Sequence, residues 1–268
     1  MSNYSDYMVA SEEVALVGKP LDKLKFLGQI TVDDDGKDIG KKFLDDCQEK
    51  FEKFTASYSM YRQTFALYDL TKMDNLTTDL NKFFKSLDVK NDYYDIARVR
   101  NKLYTYGTND GIKDYDTVDL KQLIDKLESL GDLSLGMQVE KDLKDVVIDF
   151  RNDGVDAEGM AIYFPYFATN EVINAHFNVF GNLFDGEYFD FIKAFNTKHT
   201  GGRIIAEEVL SENKVASKDG KLELKLSNNE LEKYAYSKAL IFERNADNTL
   251  KLVLESDKTY LDNDKVYY

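Results

Sequence analysis

Gly159-Met-Ala-Ile-Tyr-Phe-Pro165 is the stretch on which the reading of the fold turns. It is short, apolar and rich in β-branched and aromatic residues, as a fully buried strand is. A polar run, Arg151-Asn-Asp-Gly-Val-Asp-Ala-Glu158, precedes it and Pro165 stops it. Proline has no N–H for the ladder, so pairing ends there or moves to an edge. Working outward, amphipathic helical sequence fills most of the chain before this strand. A tail of different, β-type pattern follows it.

The 268 residues suffice for one large domain or two small ones. At 43% hydrophobic and 31% charged the chain is globular rather than disordered. Its net charge of -14, with no basic run, excludes a nucleic-acid surface, which needs a basic stripe. No apolar run reaches the ~18 residues of a membrane-spanning helix. The first residues, Met1-Ser-Asn-Tyr-Ser-Asp6, carry no basic segment followed by an apolar one, so no signal peptide is expected. Two prolines, no tryptophan and abundant Lys, Asn, Asp, Tyr and Phe fit an AT-rich bacterial genome.

Back towards the start, Tyr7–Ala10 reads as a buried strand and Ser11-Glu12-Glu13 as its C-terminal mouth. Ligands of open α/β sheets bind beyond the carboxyl ends of strands, so this trio is either a pocket wall or a solvated strand exit. Leu21, Leu24, Phe26 and Leu27 form a short amphipathic helix. Thr31-Val-Asp-Asp-Asp-Gly-Lys-Asp38 lacks the alternating acids of an EF-hand and reads as a turn and helix cap. From Ile39 to about Tyr58, Ile39, Phe43, Leu44, Cys47, Phe51 and Phe54 make one helix face. Cys47, the sole cysteine, therefore reads as a buried structural thiol, and Asp45, Asp46 and Glu49 would raise its pKa.

Thr64–Leu70 is a second buried run, followed by helices over Thr71–Leu87, Asp92 to about Tyr106, Val118–Leu130 and Met137–Phe150. Ile173–Phe184 and Tyr188–Phe195 are further apolar helix faces. His176 and His199, the two histidines, fit no metal spacing; the first reads as packed and the second as exposed. Beyond Gly201-Gly202, Lys221–Leu226, Ala239–Arg244 and Leu250–Leu254 alternate as strands between turn signals, with a short helix capped at Ser227–Glu230. No phosphate loop, metal cluster or paired nucleophile is visible, and no cofactor is expected.

Four segments together resemble one family. Asp6-Tyr-Met-Val-Ala-Ser-Glu-Glu13 is similar to the segment after the catalytic cysteine in the clostripain family of caspase-like cysteine peptidases. Phe65-Ala-Leu-Tyr-Asp-Leu-Thr-Lys-Met-Asp74 resembles its strand-to-helix step. Tyr115-Asp-Thr-Val-Asp-Leu120 resembles its "Tyr-x-x-Val-Asp-Leu" helix start, and Gly159–Pro165 its "Gly-Leu-Ser-Ile-Tyr-Phe-Pro". The order is the family's, over roughly residues 5 to 200.

This resemblance implies the C-terminal part of a caspase-like, mostly parallel sheet over residues 1–200, with a large helical insertion at about 36–155. A small β-rich module occupies 201–268. The family's dyad is a His-Gly histidine and an Asp-Ala-Cys cysteine, and both motifs fall upstream of the resemblance. Cys47, His176 and His199 match neither, so no catalytic residue carries over. Val14–Asp22 departs from the family's Gly-Trp loop near its pocket for a basic side chain. Ser11, Glu12 and Glu13 remain substrate-wall candidates by position. The implied function is proteolysis by a clostripain-like endopeptidase of which this chain is an inactive part, with the N-terminal catalytic portion or a peptide as partner. A non-catalytic, peptide- or partner-binding descendant is the alternative. Family members are often secreted.

Overall fold

The computed structural model describes residues 4–12, 25–55, 63–106, 116–153, 157–165, 173–175, 178, 186–200, 215–218, 221–225, 239–245, 248–256, 260–262 and 265–267. At its centre lies a strand, β2 (Gln63–Asp69), between β1 (Tyr7–Ala10) and β4 (Val147–Asp153). Thr64 to Tyr68 are all buried, because both faces of β2 are covered. Period two sorts them. Phe65 and Leu67 pack with Leu44 and Cys47 of helix α1 (Gly36–Thr55). Ala66 and Tyr68 face the main core on the other side.

Among the described residues, five helices build most of that core. Strand β2 runs through a 3-10 turn, Leu70–Lys72, into α2 (Met73–Ser86). Asp69 fastens the junction, its carboxylate accepting the Thr71 N–H at 3.0 Å. Next come α3 (Tyr93–Lys102), β3 (Thr117–Asp119), α4 (Leu120–Leu127) and α5 (Leu133–Val146), the last continuous with β4. Strand β5 (Ala161–Tyr163) and α6 (Glu187–Thr200) follow. Phe83, Phe84, Ile96, Leu123, Leu127, Val139, Ile192 and Phe195 supply much of the buried apolar surface. Aromatic contacts join α2 to α6, with Phe84 and Phe191 ring centroids 4.7 Å apart.

Every pairing among the described strands is antiparallel, in contrast to the mostly parallel sheet expected. The cause for β2 and β4 lies in the helices fused to them. A Cβ on Gly131 or Gly136, near the start of α5, would meet Phe83, near the end of α2. Asp132 N–H also bonds Ser86 Oγ at 2.9 Å. Helices α2 and α5 are therefore antiparallel. Since α2 leaves β2 and α5 enters β4 without a loop, the two strands must run oppositely.

The stretch Gly159–Pro165 is a core element, but a short one. Among the described residues its strand, β5, pairs only with β3, Val118 opposite Ile162, in a two-stranded sheet apart from β2. Phe164 is fully buried beside Phe191 and Phe195, and its carbonyl accepts Arg100 Nε at 2.5 Å.

Several sequence expectations change at element ends. The helix expected over Met137–Phe150 begins earlier, where the Asp132 carboxylate caps the Ser134 N–H at 2.8 Å. It stops at Val146, and Val147–Asp153 is a strand, because β2 offers a ladder along it. The helix expected to run to Tyr106 ends at Lys102, and Tyr106 instead bridges Thr117. Val118 belongs to β3 rather than to a helix. Tyr7–Ala10 is half-buried rather than buried, as an edge strand of the described sheet. Phe26–Gln29 is a 3-10 turn; Leu21 and Leu24 lie outside the described residues.

Further on, β6 (Val215–Lys218), β7 (Lys221–Lys225), β10 (Tyr260–Asp262) and β11 (Lys265–Tyr267) share one sheet. Strands β8 (Ala239–Arg244) and β9 (Leu250–Ser256) form a hairpin. The strict alternation of Lys221-Leu-Glu-Leu-Lys225 is thus strand, as its period requires. The helix expected after Ser227 falls outside the described residues.

Candidate functional site

Strand β1 ends at Ala10, so Ser11 and Glu12 lie just past its carboxyl end. Ala10 pairs with Ala66, which places Glu12 across from Thr64. The Glu12 N–H donates to Thr64 Oγ1 at 2.9 Å, and Ser11 Oγ lies 3.2 Å from the same oxygen. Thr64 is buried, so this exit is pinned rather than loose. Glu13 lies outside the described residues.

The Glu12 side chain turns inward, only 9% of the residue remaining exposed. Its Oε2 accepts the Gly159 N–H at 3.2 Å. Tyr68 grips the same glycine from β2, its hydroxyl donating to the Gly159 carbonyl at 2.5 Å. Gly159 has φ +101°, and a Cβ there would meet Val147 Cγ1 at 2.8 Å. Only glycine fits this backbone without strain or a clash.

Asp119 completes the cluster. It is the N-cap of α4, where Oδ1 accepts the Gln122 N–H at 2.8 Å and Oδ2 the Glu158 N–H at 2.6 Å. The Glu12 and Asp119 carboxyl groups lie side by side, since they accept the N–H groups of the consecutive residues Gly159 and Glu158. Burial first, then the Asp119 charge, pushes the Glu12 carboxyl up to about 9. Burial also raises Asp119, against the pull of its backbone donors.

Residues from four distant segments therefore meet here: Glu12, Tyr68, Asp119 and Gly159. Sequence reasoning picked out Ser11 and Glu12 but missed Tyr68 and Asp119, which looked like core and a helix start. The signal for Asp119 was its place before Leu120-Lys-Gln-Leu-Ile124, where an acid caps a helix.

Cys47 stands elsewhere, fully buried on α1. Burial, then the Asp46 charge, pushes its thiol up to about 12, while Lys50 opposes. That is an inert thiol, as the surrounding acids suggested. The acids of Thr31–Asp38 make a turn and a cap: Asp34 pairs with Lys42 and bonds the Thr31 N–H, and Asp35 bonds the Asp38 N–H at 2.9 Å. His176 lies outside the described residues; His199 falls in the last turn of α6. No described helix is long and apolar enough to cross a membrane.

The fold is a mixed α/β one, with a pinned strand mouth and an internal acid pair. Among protein families, the clostripain family matches residues 1–197, nearly three quarters of the chain. This protein belongs to the clostripain family, a family of cysteine peptidases. No curated protein matches it. The four segments that meet at Gly159 are the four that resemble the family in sequence.

Proposed function

We propose that this chain is the C-terminal part of a clostripain-like cysteine endopeptidase, inactive alone, whose His–Cys dyad comes from residues outside this sequence. The observation that carries the reading is the state of Cys47. A peptidase nucleophile must be a thiolate that can reach a carbonyl. Cys47 is fully buried and its thiol is raised, so it meets neither need. Membership of a cysteine-peptidase family then supports a nucleophile from elsewhere.

In this reading the Ser11–Glu13 segment forms the substrate wall, with the Glu12 side chain turned inward to hold it. The pinning of Ser11 and Glu12 by Thr64 supports this, because a wall must hold its shape. Strand β1 is at an edge of the described sheet, where added strands of a caspase-like, parallel kind would pair. In this reading the strands within 201–268 belong to a small β-rich module.

Reconstitution tests the proposal. The chain is mixed with a polypeptide carrying a clostripain-family His-Gly and Asp-Ala-Cys segment, and hydrolysis of peptides with Arg, Lys and other residues is followed. Turnover only in the mixture, unaffected by Cys47→Ala, is expected. A folded complex without turnover on any peptide would refute it.

A further inference from the structure

Two buried acids meet at the mouth of β1 with too few hydrogens between them. Glu12 Oε2 has the Gly159 N–H, but Oε1 is buried with no donor from the protein. Asp119 has two backbone N–H donors, one at the start of α4 and one at Glu158. A carboxylate offers only acceptors, so two ionised acids in contact would repel and leave a lone pair unmet. A water satisfies the lone pair but not the repulsion, which only a shared proton or a cation removes.

The surroundings choose the proton. The Gly159, Glu158 and Gln122 N–H groups all point their positive ends at the pair, and the α4 N-terminus adds a positive partial charge. A metal ion placed there would face those dipoles. Among the described residues no third acid, histidine or cysteine joins the two to complete a cation site. A proton meets no such objection, and it turns Glu12 into a donor.

We propose that Glu12 and Asp119 share one proton, and that this bond is a latch holding the exit of β1 to the start of β5 and the cap of α4. Its effect is positional. The latch keeps Glu12 on Gly159, and through the Thr64 contacts it keeps Ser11 in place. Opening the latch releases both segments together. The inference does not rest on the peptidase reading.

The latch is sensitive to pH in a direction that can be worked out. Glu12 is raised when folded, by burial and then by Asp119 and Glu158. Tyr68, the other titratable group against it, stays neutral because burial raises it further still. Lys121, the second residue of α4, pairs with Asp125. When the latch opens, Glu12 meets water and returns towards its ordinary 4.5. The closed form thus holds a proton that the open form releases. Stability from the latch is full below about 4.5 and is lost as pH rises towards about 9.

Hydrogen–deuterium exchange of the full chain between pH 6 and 8 reads this directly, in peptides covering Gly159. After correction for the intrinsic base-catalysed rate, protection at the Gly159 amide should fall by up to about tenfold per pH unit. Glu12→Gln keeps both bonds, its amide oxygen accepting from Gly159 and its NH2 donating to Asp119, but cannot titrate. Its protection should be flat with pH. Tyr68→Phe removes the grip on the Gly159 carbonyl without touching the proton, so protection should drop at every pH with the wild-type slope kept. A flat wild-type profile, or a slope retained in Glu12→Gln, overturns the latch. So does a gain in protection on adding calcium or magnesium ions, which would place a cation between the acids.

Discussion

Replacing Gly159 with alanine should damage this protein more than its small size suggests. Two costs add. The residue sits at φ +101°, where a side chain strains the backbone by about 1–3 kcal/mol. The new Cβ would lie 2.8 Å from Val147 Cγ1 and 3.3 Å from Phe150 Cβ, both on β4. Relieving that overlap costs about 1–3 kcal/mol more, because a strand in a paired sheet gives little ground. The sum, about 2–6 kcal/mol, is a large share of the 5–15 kcal/mol that holds a typical domain folded. Urea unfolding followed by circular dichroism measures it. Gly28→Ala is the matched control: nothing lies within 4 Å of its added Cβ, so the change should stay within about 0.5 kcal/mol. A Gly159→Ala protein as stable as the control would refute the geometry on which the site is built.

Two further changes probe the frame around the site. Arg100 is buried, donates to the Phe164 carbonyl and to Thr105 Oγ1, and pairs with Asp116 at 3.5 Å. Arg100→Met should cost about 3–5 kcal/mol in the same unfolding experiment, since it strands a buried carbonyl and a carboxylate; Arg100→Lys should not restore the loss, because a point ammonium cannot span the three partners. Asp132→Ala removes the cap of α5 and should cost about 1 kcal/mol, seen as an equal fall in the unfolding free energy.

Much of the frame was legible because it is local. The apolar spacing of α1, the buried run of β2, the amphipathic α4 and the alternation of Lys221–Lys225 all state their period within a few residues. Cys47 was legible too, since its place on a helix face and its acidic neighbours are both in the sequence. Strand β4 was not. Val146-Val-Ile-Asp-Phe150 fits the end of a helix as well as a strand, and the decision is made by β2, some eighty residues earlier in the chain. Sheet direction was hidden for a similar reason: it follows from how α2 packs on α5. The site was half-visible. Ser11 and Glu12 stood at a strand exit, but that Asp119 would come to lie against Glu12 is a fact of tertiary structure. Two acids a hundred residues apart carry no local mark of contact.

Reactivity of Cys47 tests the central claim most directly, that the nucleophile of a clostripain-like peptidase is not in this chain. Burial raises its thiol to about 12, so at neutral pH the thiolate is about a thousandfold scarcer than in an ordinary cysteine, before the reagent's lack of access is counted. Native protein is treated with iodoacetamide at neutral pH, and labelling is followed by mass spectrometry beside a peptidase assay. The account predicts no labelling while the protein stays folded, rapid labelling in urea, and no hydrolysis at any stage. Rapid labelling of native Cys47, with loss of a peptide-hydrolysing activity in step, would contradict it.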